Sequence, residues 1–119
     1  MNFSSFETDV MKLLLSGDDP EVNVLRDQFS QASLMKRELT GVGFFIYFDL
    51  PYGIKKLQSM KSFTIRDVQA QIEGLAHGAG FLLFIDNGVI HFLEGYCYDE
   101  SWPKEIKKYY LKKEKIKNI

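Results

Sequence analysis

Residues 81–98 read FLLFIDNGVIHFLEGYCY, two apolar runs joined by Asp86-Asn87-Gly88. Asn87 and Gly88 both tolerate positive φ, which a type I′ turn demands at its two central positions, and that turn's twist matches the twist of the strands it joins. A two-residue loop here pairs Asp86 with Val89, Ile85 with Ile90, Phe84 with His91, Leu83 with Phe92 and Leu82 with Leu93. One face of the hairpin then carries Phe81, Leu83, Ile85, Ile90, Phe92, Glu94 and Tyr96. The other carries Leu82, Phe84, Asp86, Val89, His91 and Leu93. Both faces are largely apolar, whereas a half-solvated hairpin alternates apolar with polar. The hairpin is therefore expected at the centre of its sheet, with helices on one side and loops, a helix or another subunit on the other. Register matters, because a slip of one residue exchanges the two faces.

A chain of 119 residues is expected to form one domain, residues 1–119, burying about two-thirds of its unfolded surface without help from a metal or disulfide. No apolar run approaches the ~20 residues of a membrane helix. The start, MNFSSFETD, lacks the positive region of a signal peptide. Cys97 is the one cysteine, which excludes an internal disulfide and fits a reducing compartment, so the expected location is the cytoplasm. Charge is unevenly spread. Residues 104–119 hold seven Lys and two Glu, a balance of +5, while residues 1–103 hold eight Lys and Arg against fourteen Asp and Glu, a balance of −6. The plain reading of the basic end is a solvated helix face that frays into a tail over 112–119. The sharper one is a basic arm that touches an acidic partner, nucleic acid or the body of a second copy. Lys without Arg favours the plain reading, since Arg is the better phosphate fork.

Along the chain, Ser4 and Glu7 have capping-box spacing, and Phe6, Val10, Leu13 and Leu14 make a stripe that ends at Gly17. Asp19 and Pro20 open a second helix, whose buried face is Val22, Leu25 and Phe29. Residues 33–39 and 44–48 read as two strands separated by Gly41 and Gly43, the second rich in aromatics. Residues 51–62 read as a loop, residues 63–67 as a short extended piece, and Val68–Glu73, which alternates apolar with polar, as a strand lying toward an edge. Trp102-Pro103 introduces a C-terminal helix gripped by Ile106, Tyr109, Tyr110 and Leu111. The expected fold is α+β: two N-terminal helices, an antiparallel sheet of four or five strands built around the 81–98 hairpin, and a C-terminal helix.

Few patterns carry chemistry. The Gly74–Gly80 segment lacks the Lys-Ser/Thr and following helix of a phosphate loop, and reads as a tight connection between strands. His77, His91, Glu94 and Cys97 have no metal-ligand spacing. Cys97 is six residues from His91, about 20 Å along a strand, so those two do not form a nucleophile pair. No catalytic residue, metal or cofactor is expected. Glu94 stands out, because it interrupts an apolar face beside Gly95, and an ionised carboxylate there needs a cation such as Arg37 or Arg66. It is either a satisfied rim position or an anchor in a pocket or interface. The aromatic surplus, which includes Tyr96 and Trp102, suits a protein interface or a pocket. Three Arg in the chain are too few for a ring-stacking nucleic-acid surface, so nucleic acid is disfavoured.

Arg37-Glu38-Leu39-Thr40-Gly41-Val42-Gly43-Phe44-Phe45, His77-Gly78-Ala79-Gly80-Phe81 within 74–84, and Leu93-Glu94-Gly95-Tyr96 together resemble a group of small uncharacterised bacterial proteins. The likeness spans residues from about 33 to Trp102. It implies a bacterial, cytoplasmic, single-domain protein, and no activity, cofactor or site residue comes with it. The leading expectation is a non-enzymatic protein-binding module, of the immunity or regulatory type, that contacts a partner protein or a second copy. The alternative is a small-molecule binder or weak enzyme with a pocket between sheet and helices that uses Glu94 and His77. Candidate binding residues are Arg37, His77, Glu94, Tyr96 and Trp102.

Overall fold

The computed structural model describes residues 2–114. Helix α1 (Ser5–Leu14) starts at a complete capping box. The Glu7 amide donates to Ser4 Oγ at 3.1 Å and the Ser4 amide donates to Glu7 Oε1 at 2.8 Å. Helix α2 (Pro20–Gln31) starts where the Glu21 amide donates to Asp19 Oδ1 at 2.8 Å and Pro20 presets the first turn. Seven strands follow: β1 (Ser33–Leu39), β2 (Gly43–Asp49), β3 (Phe63–Ile65), β4 (Val68–Ile72), β5 (Ala79–Asp86), β6 (Val89–Cys97) and β7 (Tyr109–Lys113). They form one antiparallel sheet in the order β1-β2-β6-β5-β4-β7, with β3 paired to β5 beside β4. Both helices pack on one side, where Val10, Met11 and Leu14 of α1 and Leu25 of α2 meet Ile46, Leu83, Ile85, Ile90 and Leu93 of the sheet. Each such side chain contributes about 1.5–3 kcal/mol through burial. No helix among the described residues is long and apolar enough to cross a membrane.

The structure corrects the expected fold in three places. The sheet has seven strands, not four or five, because a three-residue β3 and the late β7 join it. There is no C-terminal helix among the described residues. The segment expected to be helical supplies β7, which pairs with β4 from Val68↔Lys113 to Ile72↔Tyr109. Its YYLKK sequence alternates, so Tyr109 and Leu111 turn toward the core while Tyr110 and Lys112 turn outward. The unpaired edge of β4 offers a ladder that an isolated short helix cannot match. Lys112 and Lys113, expected in a frayed tail, are thus part of the sheet, and residues 115–119 lie outside the described residues.

The third correction is in the hairpin. Asp86↔Val89 and Ile85↔Ile90 pair as expected, but the next pairs are Phe84↔Phe92, Leu83↔Leu93 and Leu82↔Glu94. His91 is the extra residue of a β-bulge. Beyond it the faces exchange: Leu93 and Cys97 join the buried side, while Phe92, Glu94 and Tyr96 pass to the side without helices. Gly95 on the buried side has no Cβ, and the Phe44 ring fills that space. A Cβ at residue 95 would stand 2.3 Å from Phe44 Cε1.

The hairpin turn is itself clamped. Asn87 and Gly88 have φ of 49° and 80°, as the turn requires. Gln28, fully buried in α2, donates from Nε2 to the carbonyls of Gly88 at 3.0 Å and Lys55 at 2.8 Å, and accepts the Ile90 amide at 2.9 Å. One side chain ties the helix layer, the 50–62 loop and the hairpin together. Replacing it with an isosteric apolar group strands the buried Ile90 amide. Gln28→Leu is expected to lower stability by about 2–3 kcal/mol, read as a lower urea midpoint at unchanged slope. A loss below about 0.5 kcal/mol, within the range of an ordinary surface substitution, would show that the clamp contributes nothing.

Candidate functional site

The bulge at His91 and the alternation of β2, β5 and β6 build an aromatic surface on the side opposite the helices. Phe45 and Tyr47 of β2 stack at 6.3 Å between ring centroids, and Phe92 lies 5.6 Å and 5.9 Å from them. Phe84 stacks on Phe92 at 5.2 Å, and the exposed His91 touches Tyr47, Phe84 and Phe92. Leu82 and Tyr96 extend the surface. All of these except His91 are half-buried, while their alternating neighbours Phe44, Ile46, Phe81, Leu83 and Leu93 are buried. Each ring is shielded by other rings, and none of the described elements overlies them.

Glu94 sits within this surface, directly across from Phe45 on one side and Leu82 on the other. Among the described residues its carboxylate has neither an ion-pair partner nor a side-chain hydrogen bond. Of the cations expected to meet it, Arg37 faces the helix layer. Arg66, exposed on the turn between β3 and β4, borders the surface at Leu82 and acts on the Tyr96 phenol, but makes no ion pair with Glu94. Tyr96 stacks edge-on against Tyr98 at 5.6 Å, and desolvation pushes its phenol above the usual tyrosine value. At the β1 edge Glu38 is neutralised by Lys36 at 2.6 Å.

Arg37 and Trp102 meet on the other side of the sheet. The Arg37 guanidinium grips Glu7 through Nε to Oε2 at 2.8 Å and Nη2 to Oε1 at 2.7 Å, and this partner raises its already high pKa. Glu7 is buried and also accepts the Ser4 amide, so its carboxylate is fully engaged. Arg37 and Trp102 line a cleft of about 690 Å³ together with Phe6, Phe44 and Tyr109. The Trp102 amide donates to Gly41 O at 2.8 Å, which holds the post-hairpin segment against the β1–β2 turn.

His77 is brought to neither place. It lies on the exposed Gly74–Gly78 connection, whose Ala76 and His77 amides donate to the Glu100 carboxylate at 2.8 and 3.1 Å. Among the described residues His77 and Glu94 are not brought into one cleft. Glu94 is on the open sheet face, His77 is on a loop, and the clefts beside Trp102, β3 and α2 contain neither. Cys97 is buried, donates to the Val42 and Glu100 carbonyls, and has its thiol pKa pushed up by desolvation. It is not a poised nucleophile.

Several features of these two surfaces were not legible in the sequence. The Glu7–Arg37 pair joins positions thirty residues apart, which no local spacing reveals. Phe45, Tyr47, Phe84 and Phe92 were visible as aromatics, but their assembly on one open face depends on the bulge. Comparison of the chain with protein families, curated proteins and solved structures gives no match.

The Glu100 carboxyl is held below the usual glutamate range, first by the Ala76 amide and then by the His77 amide. A depressed carboxyl stabilises its loop above the unfolded value of about 4.3 and loses that effect as pH falls through the lower folded value. The amide protons of Ala76 and His77 should therefore share one transition on acidification. Its midpoint should lie below about 4.3, and Glu100→Gln should abolish the transition. A midpoint at or above that value would mean the contact does not persist in solution.

Proposed function

We propose that this chain is a protein-binding module acting in the bacterial cytoplasm, whose open aromatic face docks a partner protein presenting arginine or lysine. The observation that carries this reading is the cluster of Phe45, Tyr47, Phe84 and Phe92 around Glu94, on a sheet face that no described element covers. Rings of this kind supply rigid contact area at small entropic cost and are enriched at interface centres. The molecule measures 41 × 36 × 19 Å, so its broad face accommodates the roughly 800 Å² per partner of a standard interface.

Charge selects the occupant. Glu94 lies between apolar neighbours and makes no ion pair among the described residues, with Arg66 bordering the cluster at Leu82, and the π-faces around it also attract a cation. A partner cation reaching the cluster would gain both contacts and relieve the unpaired carboxylate. A second copy docking about a two-fold axis at the cluster brings Glu94 against Glu94, which opposes that mode. The whole chain carries a net charge of −1, so the selection rests on Glu94 and the rings rather than on a long-range field. The single, reduced Cys97 fits the cytoplasmic setting.

The test places the photo-crosslinker p-benzoylphenylalanine at Tyr47 and, as a control on the exposed side of α1, at Lys12, in the source cells. A crosslink to a different protein is expected from position 47 and not from position 12. Glu94→Gln should weaken it and Glu94→Lys abolish it, with both variants melting as the parent does. A crosslink to the chain itself, no crosslink, or one indifferent to residue 94 would overturn the reading.

A further inference from the structure

We propose that the cleft on the helix side, between α1, β2 and residues 102–109, binds a small aromatic carboxylate. It is separate from the sheet face proposed for protein docking and does not depend on it. Its floor is made of rings: Phe44 lies 5.4 Å from Trp102, and Phe6 lies 6.4 Å from Trp102 and 4.9 Å from Tyr109. A volume of about 690 Å³ falls within the 300–1,000 Å³ typical of small-molecule sites. These rings meet edge to face, an arrangement that a further aromatic ring can extend, and the polar wall suits one polar group on that ring.

The wall sets the sign of that group. Arg37 spends Nε and Nη2 on Glu7 and Asn2, which leaves both Nη1 hydrogens without an acceptor among the described residues. The Glu7 grip fixes the guanidinium plane, so the remaining donors are presented without loss of side-chain freedom. Lys104 and Lys107 lie on the rim, where Lys107 pairs with Glu105 at 3.7 Å and Lys104 makes no ion pair among the described residues. Three cations against two carboxylates leave the cleft positive, in a chain whose first 103 residues are net negative. A carboxylate gains a charge-assisted hydrogen bond from Arg37 that an uncharged group of the same shape receives only in weaker form. A cationic ring would oppose both Arg37 and the rim.

The probe is 2-naphthoate, compared with its uncharged isostere 2-naphthamide, in ¹H–¹⁵N spectra of the full chain. Trp102 is the one tryptophan, so its indole N–H is a single reporter inside the cleft. Saturable shifts are expected at that N–H and at the Phe6 and Phe44 amides. The carboxylate should bind at least about tenfold more tightly than the amide, the contribution of one charge-assisted hydrogen bond. Because Arg37→Gln alone would strand the buried Glu7 carboxylate, the variant is Glu7→Gln with Arg37→Gln, checked by its melting curve. It should retain naphthamide binding and lose most of the preference for naphthoate. Lys104→Gln, which touches no core contact, should weaken naphthoate by a smaller factor. Equal affinity for the two probes, shifts centred on Tyr47, Phe84 and Phe92, or no shift at millimolar concentration would overturn the proposal.

Discussion

One inserted residue sets the chemistry of both faces of this sheet. With His91 in the bulge, Leu93 and Cys97 turn into the core and Phe92, Glu94 and Tyr96 turn away from it. In a regular ladder Phe92 and Glu94 would sit under the helices, and the buried carboxylate would carry a desolvation cost of several kcal/mol. The bulge removes that cost and concentrates rings on the opposite side. Core packing and the candidate interface are thus two results of the same backbone irregularity.

Helix α1 is the second organiser. Its first turn buries Glu7 against Arg37 of β1, and its middle takes the Tyr109 hydroxyl on Asp9 at 2.6 Å. Its last turn receives Lys113, which donates to the carbonyls of Leu13 and Ser16 at 3.2 and 3.0 Å. A cation at that end satisfies orphan carbonyls and suits the helix dipole. Strands from both ends of the sheet order are therefore fastened to one ten-residue helix. The Trp102 cleft lies between those fastenings, so its ring floor and its guanidinium are held by the same element.

Local signals in the sequence read through to the structure where the physics is local. Ser4 with Glu7, Asp19 with Pro20, and Asn87 with Gly88 each mark a cap or turn whose residues touch within a few positions. The failures involve partners far apart in the chain. YYLKK has enough apolar spacing to pass for a short helix, and only the bare edge of β4, some forty residues earlier in sequence, makes it a strand. A bulge leaves no residue signature at His91, so the exchange of faces at Phe92 was invisible. The two-sided oiliness of the hairpin did point to something covering the second side, and the described residues supply no cover. Of the candidate residues, Arg37 shares a cleft with Trp102 and Glu94 shares a face with Tyr96, while His77 stands apart.

The placement of β7 also governs how the molecule can be made. Its contacts with Asp9, Leu13 and Ser16 span about a hundred residues, so the enclosed loop takes in every strand of the sheet. Closing it late carries the entropic penalty that slows topologies rich in distant pairings. During synthesis α1 emerges early, yet its last carbonyls and the flank of β4 stay bare until β7 leaves the ribosome. Until then the nascent sheet displays an unsatisfied margin, and that interval is when it is most exposed to capture by chaperones or by neighbouring chains.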